Sequence, residues 1–304
     1  MAHIPDGFLS MPVIAGTATA SLAALATAAR RSRAALGERE GPVLGAVTAF
    51  VFAAQMLNFP LGIGASAHLL GGALVAVLLG PWAGMLVLFA VLLVQALLFQ
   101  DGGIAALGAN TLNVAVLGVG SAGVTYRIGR AGLGETRGAT VVAAGLAAWI
   151  STAIVGLAVA AELVLSGLVP LQPALLLVGG GHVLIGIAEA VLTGLLVDFV
   201  FRTRPALLAR RTPAARGDRI RVVALAGAVV ATVLVAVGFA SSQPDVLETA
   251  LARLASPVGS GLTAAPFAEY QSPVGGLWVA GAVGVLAAFL VAWGLTIAVQ
   301  RRRP

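Results

Sequence analysis

The chain has no cysteine and no lysine. Without cysteine there is no disulfide, no thiolate metal site and no cysteine nucleophile. Without lysine there is no P-loop, whose motif needs a phosphate-gripping lysine, and no Schiff-base chemistry. If such a chain moves a solute uphill with ATP, another subunit must hydrolyse it. Charge is scarce too: 10% of residues are charged and 59% hydrophobic, against about a quarter charged in a soluble domain. Apolar stretches of about 20 residues recur along the sequence, the pattern of an all-α polytopic membrane protein of the cell membrane. No basic segment precedes the first apolar run, 11–29, and Arg30, Arg31 and Arg33 follow it. That order is the reverse of a cleavable signal peptide, so the amino terminus is expected to stay attached.

Nine spans are expected, at about 11–29, 42–59, 66–80, 83–100, 105–126, 139–163, 174–200, 222–241 and 275–299. With the amino terminus outside, seventeen of the eighteen arginines fall in cytoplasmic loops and only Arg253 does not. Positive residues near span ends set orientation, which predicts N-out and C-in and explains the +6 charge without nucleic acid. The third span is the weakest, short and rich in glycine (Gly62, Gly64, Gly71, Gly72). Such backbone bends or packs closely beside a cavity. The basic loop 201–219, with Pro205 and Pro213, divides the chain into a seven-span unit, 1–218, and a two-span unit, 219–304.

Polar side chains are costly in hydrocarbon, so their placement is informative. Gln55 and Asn58, His68, Gln95, Gln100 and Asp101, Asn110 and Asn113, and His182 all fall in the outer leaflet of their spans. Gln55 with Asn58 and Asn110 with Asn113, three apart, would share a helix face. Each amide alone reads equally as an interhelical hydrogen-bonding group. The joint pattern describes a site open to the exterior. His182 and Glu189, seven apart on one face, read as structural support or helix packing. Met11, Met56 and Met85 are too scattered for a Cu(I) site.

His3 lies two residues from the amino terminus, in Met1-Ala2-His3-Ile4-Pro5-Asp6-Gly7-Phe8. If Met1 is removed, the Ala2 amine, the His3 amide nitrogen and its imidazole supply three nitrogens, and His68 completes a square plane. If Met1 stays, the tail alone supplies four. Either set deprotonates an amide, which Ni(II) and Cu(II) drive best. Pro5 then fixes the chain direction and Asp6-Gly7 reads as a turn.

These residues resemble a known family. His3 to Leu9, Gly64 to Gly72 around His68, Gly80-Pro81-Trp82-Ala83-Gly84, Phe99-Gln100-Asp101-Gly102-Gly103, Leu107 to Asn113 and Gly181 to Glu189 are similar to the substrate-binding membrane subunit of energy-coupling-factor nickel and cobalt transporters, the CbiM/NikM family. The resemblance covers residues 1 to about 200. It implies a seven-helix bundle whose amino terminus folds in from outside, with the terminal amine, His3 and His68 on the ion. Ala2 departs from the usual register, in which histidine follows the initiator directly, and removal of Met1 would restore it. The tail and the Ala67-His68-Leu69-Leu70 context resemble the nickel branch more than the cobalt branch. Ser242 to Glu248, Phe267 to Tyr270 and one further span resemble the two-helix accessory domain named for its PDGLE motif, with Val246 in place of the glycine. Asp245, Glu248 and Glu269 make its outside segment acidic, expected to be solvated rather than to capture cations.

The resulting expectation is a permease component that binds Ni(II) outside and works with a coupling membrane subunit and two ATPase chains, with membrane lipid around it and no cofactor beyond the transported Ni(II) or Co(II). Co(II) uptake for cobalamin biosynthesis is the alternative, and a non-metal transporter or assembly factor a remoter one. A metalloenzyme is disfavoured, because there is no His-Glu-x-x-His and no histidine paired with a carboxylate at catalytic spacing.

Overall fold

The computed structural model describes residues 3–33, 41–56, 58–60, 66–203, 244–254, 265–270 and 276–301. The expected span 222–241, the basic linker beyond Thr203, Met1 and Ala2 lie outside the described residues. The described chain is helical: α1 Met11–Ser32, α2 Gly41–Gln55, α3 Gly72–Leu79, α4 Pro81–Phe99, α5 Leu107–Leu133, α6 Arg137–Leu165, α7 Leu171–Thr203, α8 Val246–Leu254 and α9 Gly276–Arg301. Six of these, α1, α4, α5, α6, α7 and α9, are long and apolar enough to cross a membrane, and α2 is a shorter apolar helix. Large apolar side chains such as Leu22, Ile128, Leu176, Leu195 and Phe199 face outward, as lipid requires.

The expected third span is corrected. Only Gly72–Leu79 is helical, about 12 Å of rise against about 30 Å of hydrocarbon. Ser66–Ala67 is a two-residue strand and residues 68–71 are irregular instead. Gly71 (φ 74°) and Gly80 (φ 78°) bound the short helix in the left half of conformational space that glycine alone enters freely. Ser66–Ala67 pairs antiparallel with Phe59–Pro60, and the Ser66 N–H donates to the Pro244 carbonyl.

Three helices carry π turns, at Gln95–Phe99 in α4, Thr111–Gly118 in α5 and Ala174–Gly179 in α7. All three lie toward the same end of the bundle. The opposite end gathers arginines: the Arg31 guanidinium lies 5.7 Å from the Trp82 ring at the start of α4. Arg130 donates to Thr140 Oγ1 across the α5–α6 turn, and Arg137 pairs with Asp198 near the end of α7.

The carboxy-terminal segment shares the core of the rest. Helix α9 packs chiefly against α2 and also against α4. A Cβ on Gly284 would lie 2.1 Å from Phe52 Cζ, so this contact needs glycine. Phe52, Phe99, Phe267 and Tyr270 form one aromatic group, with Phe99 stacked on Tyr270 at 4.7 Å. Asp245 is buried rather than solvated, while Glu248 is exposed as expected. Asp245 Oδ1 accepts from the Glu248 N–H and Glu248 Oε2 from the Asp245 N–H, a reciprocal cap on α8. Val246 fits against Gly181 of α7, where a Cβ would come within 2.4 Å of its Cγ1. The side chain of Glu269 lies outside the described residues.

Candidate metal centre

The amino-terminal tail is fixed from both of its ends. Ile4 is fully buried, its N–H donating to Asn110 Oδ1 (2.7 Å) and its carbonyl accepting from Asn110 Nδ2 (3.0 Å) and from the Gly103 N–H (2.9 Å). Asn110 thus acts as a third strand partner, using the two functions of one amide side chain. The Asp6 carboxylate accepts from the N–H groups of Ile104, Ala105 and Ala106. Gly7 (φ 87°) completes the expected turn, and the Ser10 N–H donates to Ser166 Oγ on α6. The Asp101-Gly102-Gly103 run is explained by this docking: a Cβ on Gly103 would lie 2.0 Å from Asp6 Oδ1. Gly102 takes φ 86° and Gln100 the left-handed φ 57° that turns the chain off α4.

His3 is thereby placed beside His68, their ring centroids 5.7 Å apart and both buried. His3 Nδ1 lies 2.8 Å from Asp101 Oδ1, and a carboxylate only accepts, so Nδ1 carries the proton. His68 Nδ1 likewise donates to the Leu69 carbonyl at 2.9 Å. The Nε2 atoms of both rings are buried and have no hydrogen-bond partner among the described residues. A buried polar atom without a partner is uncommon in a folded protein; Nε2 of His182 shares that state, but of the three histidines it is the rings of His3 and His68 that lie together. Burial drives the His68 imidazole down to about 3, which keeps its lone pair free. For Asp101 burial acts upward, but the facing His3 and the hydrogen bonds from His3 and Tyr270 outweigh it and hold the carboxyl at about 2.

Around this pair the expected residues sort unequally. Gln55 and Gln95 belong: Gln95 Nε2 donates to Gln55 Oε1 (2.8 Å), and Gln55 Nε2 to the Leu70 carbonyl beside His68 (2.8 Å). Asp101 and Asn110 belong, as described. Asn113 does not face the tail; its Nδ2 donates to Glu162 Oε2 on α6 at 2.7 Å. His182 is also apart, its Nδ1 turned back onto the Val178 carbonyl of its own helix. Asn58 lies beyond the end of α2, so it shares no helix face with Gln55. Asn110 and Asn113 part because a π turn begins between them.

Three contributors were not read from the sequence as site residues. Asp6 was taken only for its turn. Glu189 reaches across from α7 to the backbone of Leu70 and Gly71. Tyr270 donates its phenol to Asp101 Oδ2 at 2.5 Å and accepts from Gln95 Nε2 at 3.3 Å. Burial, then the adjoining carboxylate, push the Tyr270 phenol well above its ordinary value, so it stays a donor. No sequence spacing could announce a contact across 169 positions.

The model of the family described as the cobalt uptake substrate-specific transmembrane region, CbiM, matches residues 3–207. A protein of Archaeoglobus fulgidus, provisionally named as a fused nickel transport protein NikMN, is 34% identical over 97% of this chain and 98% of its own length. The fused nickel transport protein NikMN of Rhodobacter capsulatus is 37% identical over 75% of this chain and 70% of its own. A crystal structure of a truncated transition metal transporter superposes with a TM-score of 0.57 at 31% identity, covering 66% of this chain and 98% of that one. The bundle, the docked tail and the paired imidazoles thus occur in a chain that belongs to the CbiM family of cobalt uptake substrate-specific transmembrane regions.

Proposed function

We propose that this chain is the substrate-binding permease component of an energy-coupling-factor transporter that imports Ni(II), with its amino-terminal end facing the exterior. The coarser statement stands on the family: the chain is a multi-pass membrane component of metal uptake, and its relatives are transporter components rather than enzymes. Nickel is favoured by the names of the fused relatives that span both parts of the chain. It is favoured also by the nitrogen-only donors, which suit Ni(II) above Co(II) in the affinity order. The orientation rests on the arginines gathered at the end opposite the metal centre. The family resemblance implies a coupling membrane subunit and two ATPase chains as the source of energy, which fits the absence of a P-loop lysine here.

One observation carries the reading: the docked tail brings the His3 imidazole beside the buried imidazole of His68, whose Nε2 has no hydrogen-bond partner among the described residues. In the binding mode we propose, His68 gives Nε2, while the terminal amine of Ala2 (or of Met1 if it is retained), the His3 amide and the His3 ring complete the plane. A chelate ring closed through the His3 amide uses Nδ1 of the same residue, because Nε2 points away from its own backbone. That nitrogen now faces Asp101. Loading therefore turns the His3 ring over about its Cβ–Cγ bond, and Tyr270 remains on Asp101 to satisfy the carboxylate it leaves.

The test is metal titration of purified, untagged protein whose first residue has been identified by mass. His3→Ala and His68→Ala each abolish tight Ni(II) binding, acetylation of the terminal amine does the same, and Gln243→Ala does not. Unchanged titrations for both histidine variants would falsify the reading. Tighter binding of Co(II) than Ni(II) would move the chain to cobalt uptake.

A further inference from the structure

His68 sits on an irregular segment in the interior of a membrane protein, where every backbone polar group needs a partner. Partners can be named for the carbonyls of Leu69 and Leu70 and for the N–H groups of Leu70 and Gly71. The Leu69 carbonyl accepts from His68 Nδ1, the Leu70 carbonyl from Gln55 Nε2, and the Leu70 and Gly71 N–H groups donate to Glu189 Oε2 and Oε1, both at 2.9 Å. Glu189 comes from α7, 118 residues away, and is 2% exposed. Among the described residues no cation pairs with it. A buried carboxylate is retained against its desolvation only by strong hydrogen bonds, and here both of its oxygens go to the two peptide groups that follow the candidate ligand. Gly71 then turns left-handed into α3 over Val51, whose Cγ1 would be 3.0 Å from an added Cβ. Glu189 and Gln55 are thus the side chains through which α7 and α2 hold the backbone of this segment.

We infer that Glu189 is the positioning residue for His68: its carboxylate clamps the Leu70 and Gly71 amides and so holds the His68 ring at the distance from His3 at which one ion spans both. This inference rests on the metal-binding reading above. Glutamine cannot replace it, because its amide oxygen accepts one N–H while its NH2 opposes the other. Aspartate keeps the two acceptors at shorter reach and restores the clamp in part. Groups that orient a metal-ligating histidine typically contribute 10- to 100-fold in affinity.

Glu189→Gln, made in the full-length chain, should weaken Ni(II) binding about 10- to 100-fold, with Glu189→Asp intermediate. The weakened complex should lose the ligand-field absorption of a square-planar ion. Hydrogen exchange should show the Leu70 and Gly71 amides deprotected while those of α6 and α9 stay protected, which separates a local release from general unfolding. A double-mutant cycle with Cu(II), which binds nitrogen sites more tightly than Ni(II), supplies the decisive arm: in a His68→Ala background Glu189→Gln should change affinity no further. Equal Ni(II) affinity of Glu189→Gln and the parent would overturn the inference, and so would an undiminished effect without His68. If instead the parent chain binds no ion through its tail, the metal-binding reading fails first, and the exchange measurement at Leu70 and Gly71 still judges the clamp.

Discussion

The two ends of the bundle treat the same side chain differently. At the arginine end Asp198 takes a bidentate contact from Arg137 and a second contact from Arg202 one helical turn away, all at the surface. At the end of the proposed site Asp101 is buried, no arginine among the described residues pairs with it, and its two oxygens go to His3 and Tyr270. The first arrangement is screened by water and ions and contributes little to stability. The second has no solvent to fall back on, so each partner is obligatory. Backbone follows the same division: the arginine end is regular α-helix, while the end of the proposed site holds the π turns, the left-handed Gln100 and the irregular 68–71 segment. Irregular backbone collects where it is buried in protein and surrounds a site, as π turns often do.

Substitutions can break that contrast. The largest effect is expected for Gly103→Ala, because a methyl group has no room beside Asp6. The tail should undock, Ni(II) binding should be lost, and a melting curve in detergent should show a loss of about 1–3 kcal/mol. Asp101→Asn comes next. It removes the charge from two buried hydrogen bonds and should lower stability by about 1.5–3 kcal/mol, with the amide of Ile4 exchanging faster as His3 loosens. Tyr270→Phe deletes one donor from that carboxylate while keeping the stack on Phe99, and should cost about 1 kcal/mol. It also probes whether the carboxy-terminal segment tunes the site, through a change in the rate of Ni(II) uptake by the purified chain at unchanged stoichiometry. Asp198→Asn should leave Ni(II) binding unaltered, with a small stability loss that disappears as salt is raised. A large effect there would erase the distinction between the two ends.

Much of this was legible in the sequence because membrane solvent writes it there. Hydrocarbon demands long apolar helices, so α1, α4, α6, α7 and α9 follow the expected spans within about three residues, while α5 runs seven residues past its expected end. The rarity of histidine and its position beside the amino terminus made His3 conspicuous, and Asp101 and Asn110 stood out as polar groups at apolar ends. The illegible part is tertiary. Leu70 to Leu79 is continuously apolar or glycine, so only Gly71 and Gly72 hint at where the irregular segment gives way to the short helix. That boundary is set by Gly71, by Glu189 from α7 and by Gln55 from α2. Glu189 looked like a helix-packing group because its partners are backbone, which has no letter of its own. Tyr270 belonged to a stretch that seemed a separate unit, and only the fold brings it to Asp101.

The widened turn in α5 carries one more consequence. In a regular helix Asn110 and Asn113 would look the same way, and one neighbour would receive both. By admitting an extra residue to the coil just after Asn110, the chain rotates the later amide off the tail and onto Glu162 of α6. Deleting a single residue from 111–118 would therefore do more than shorten the helix: it would swing everything from Asn113 to Arg130 about the axis and force α6 and the tail to compete for one direction.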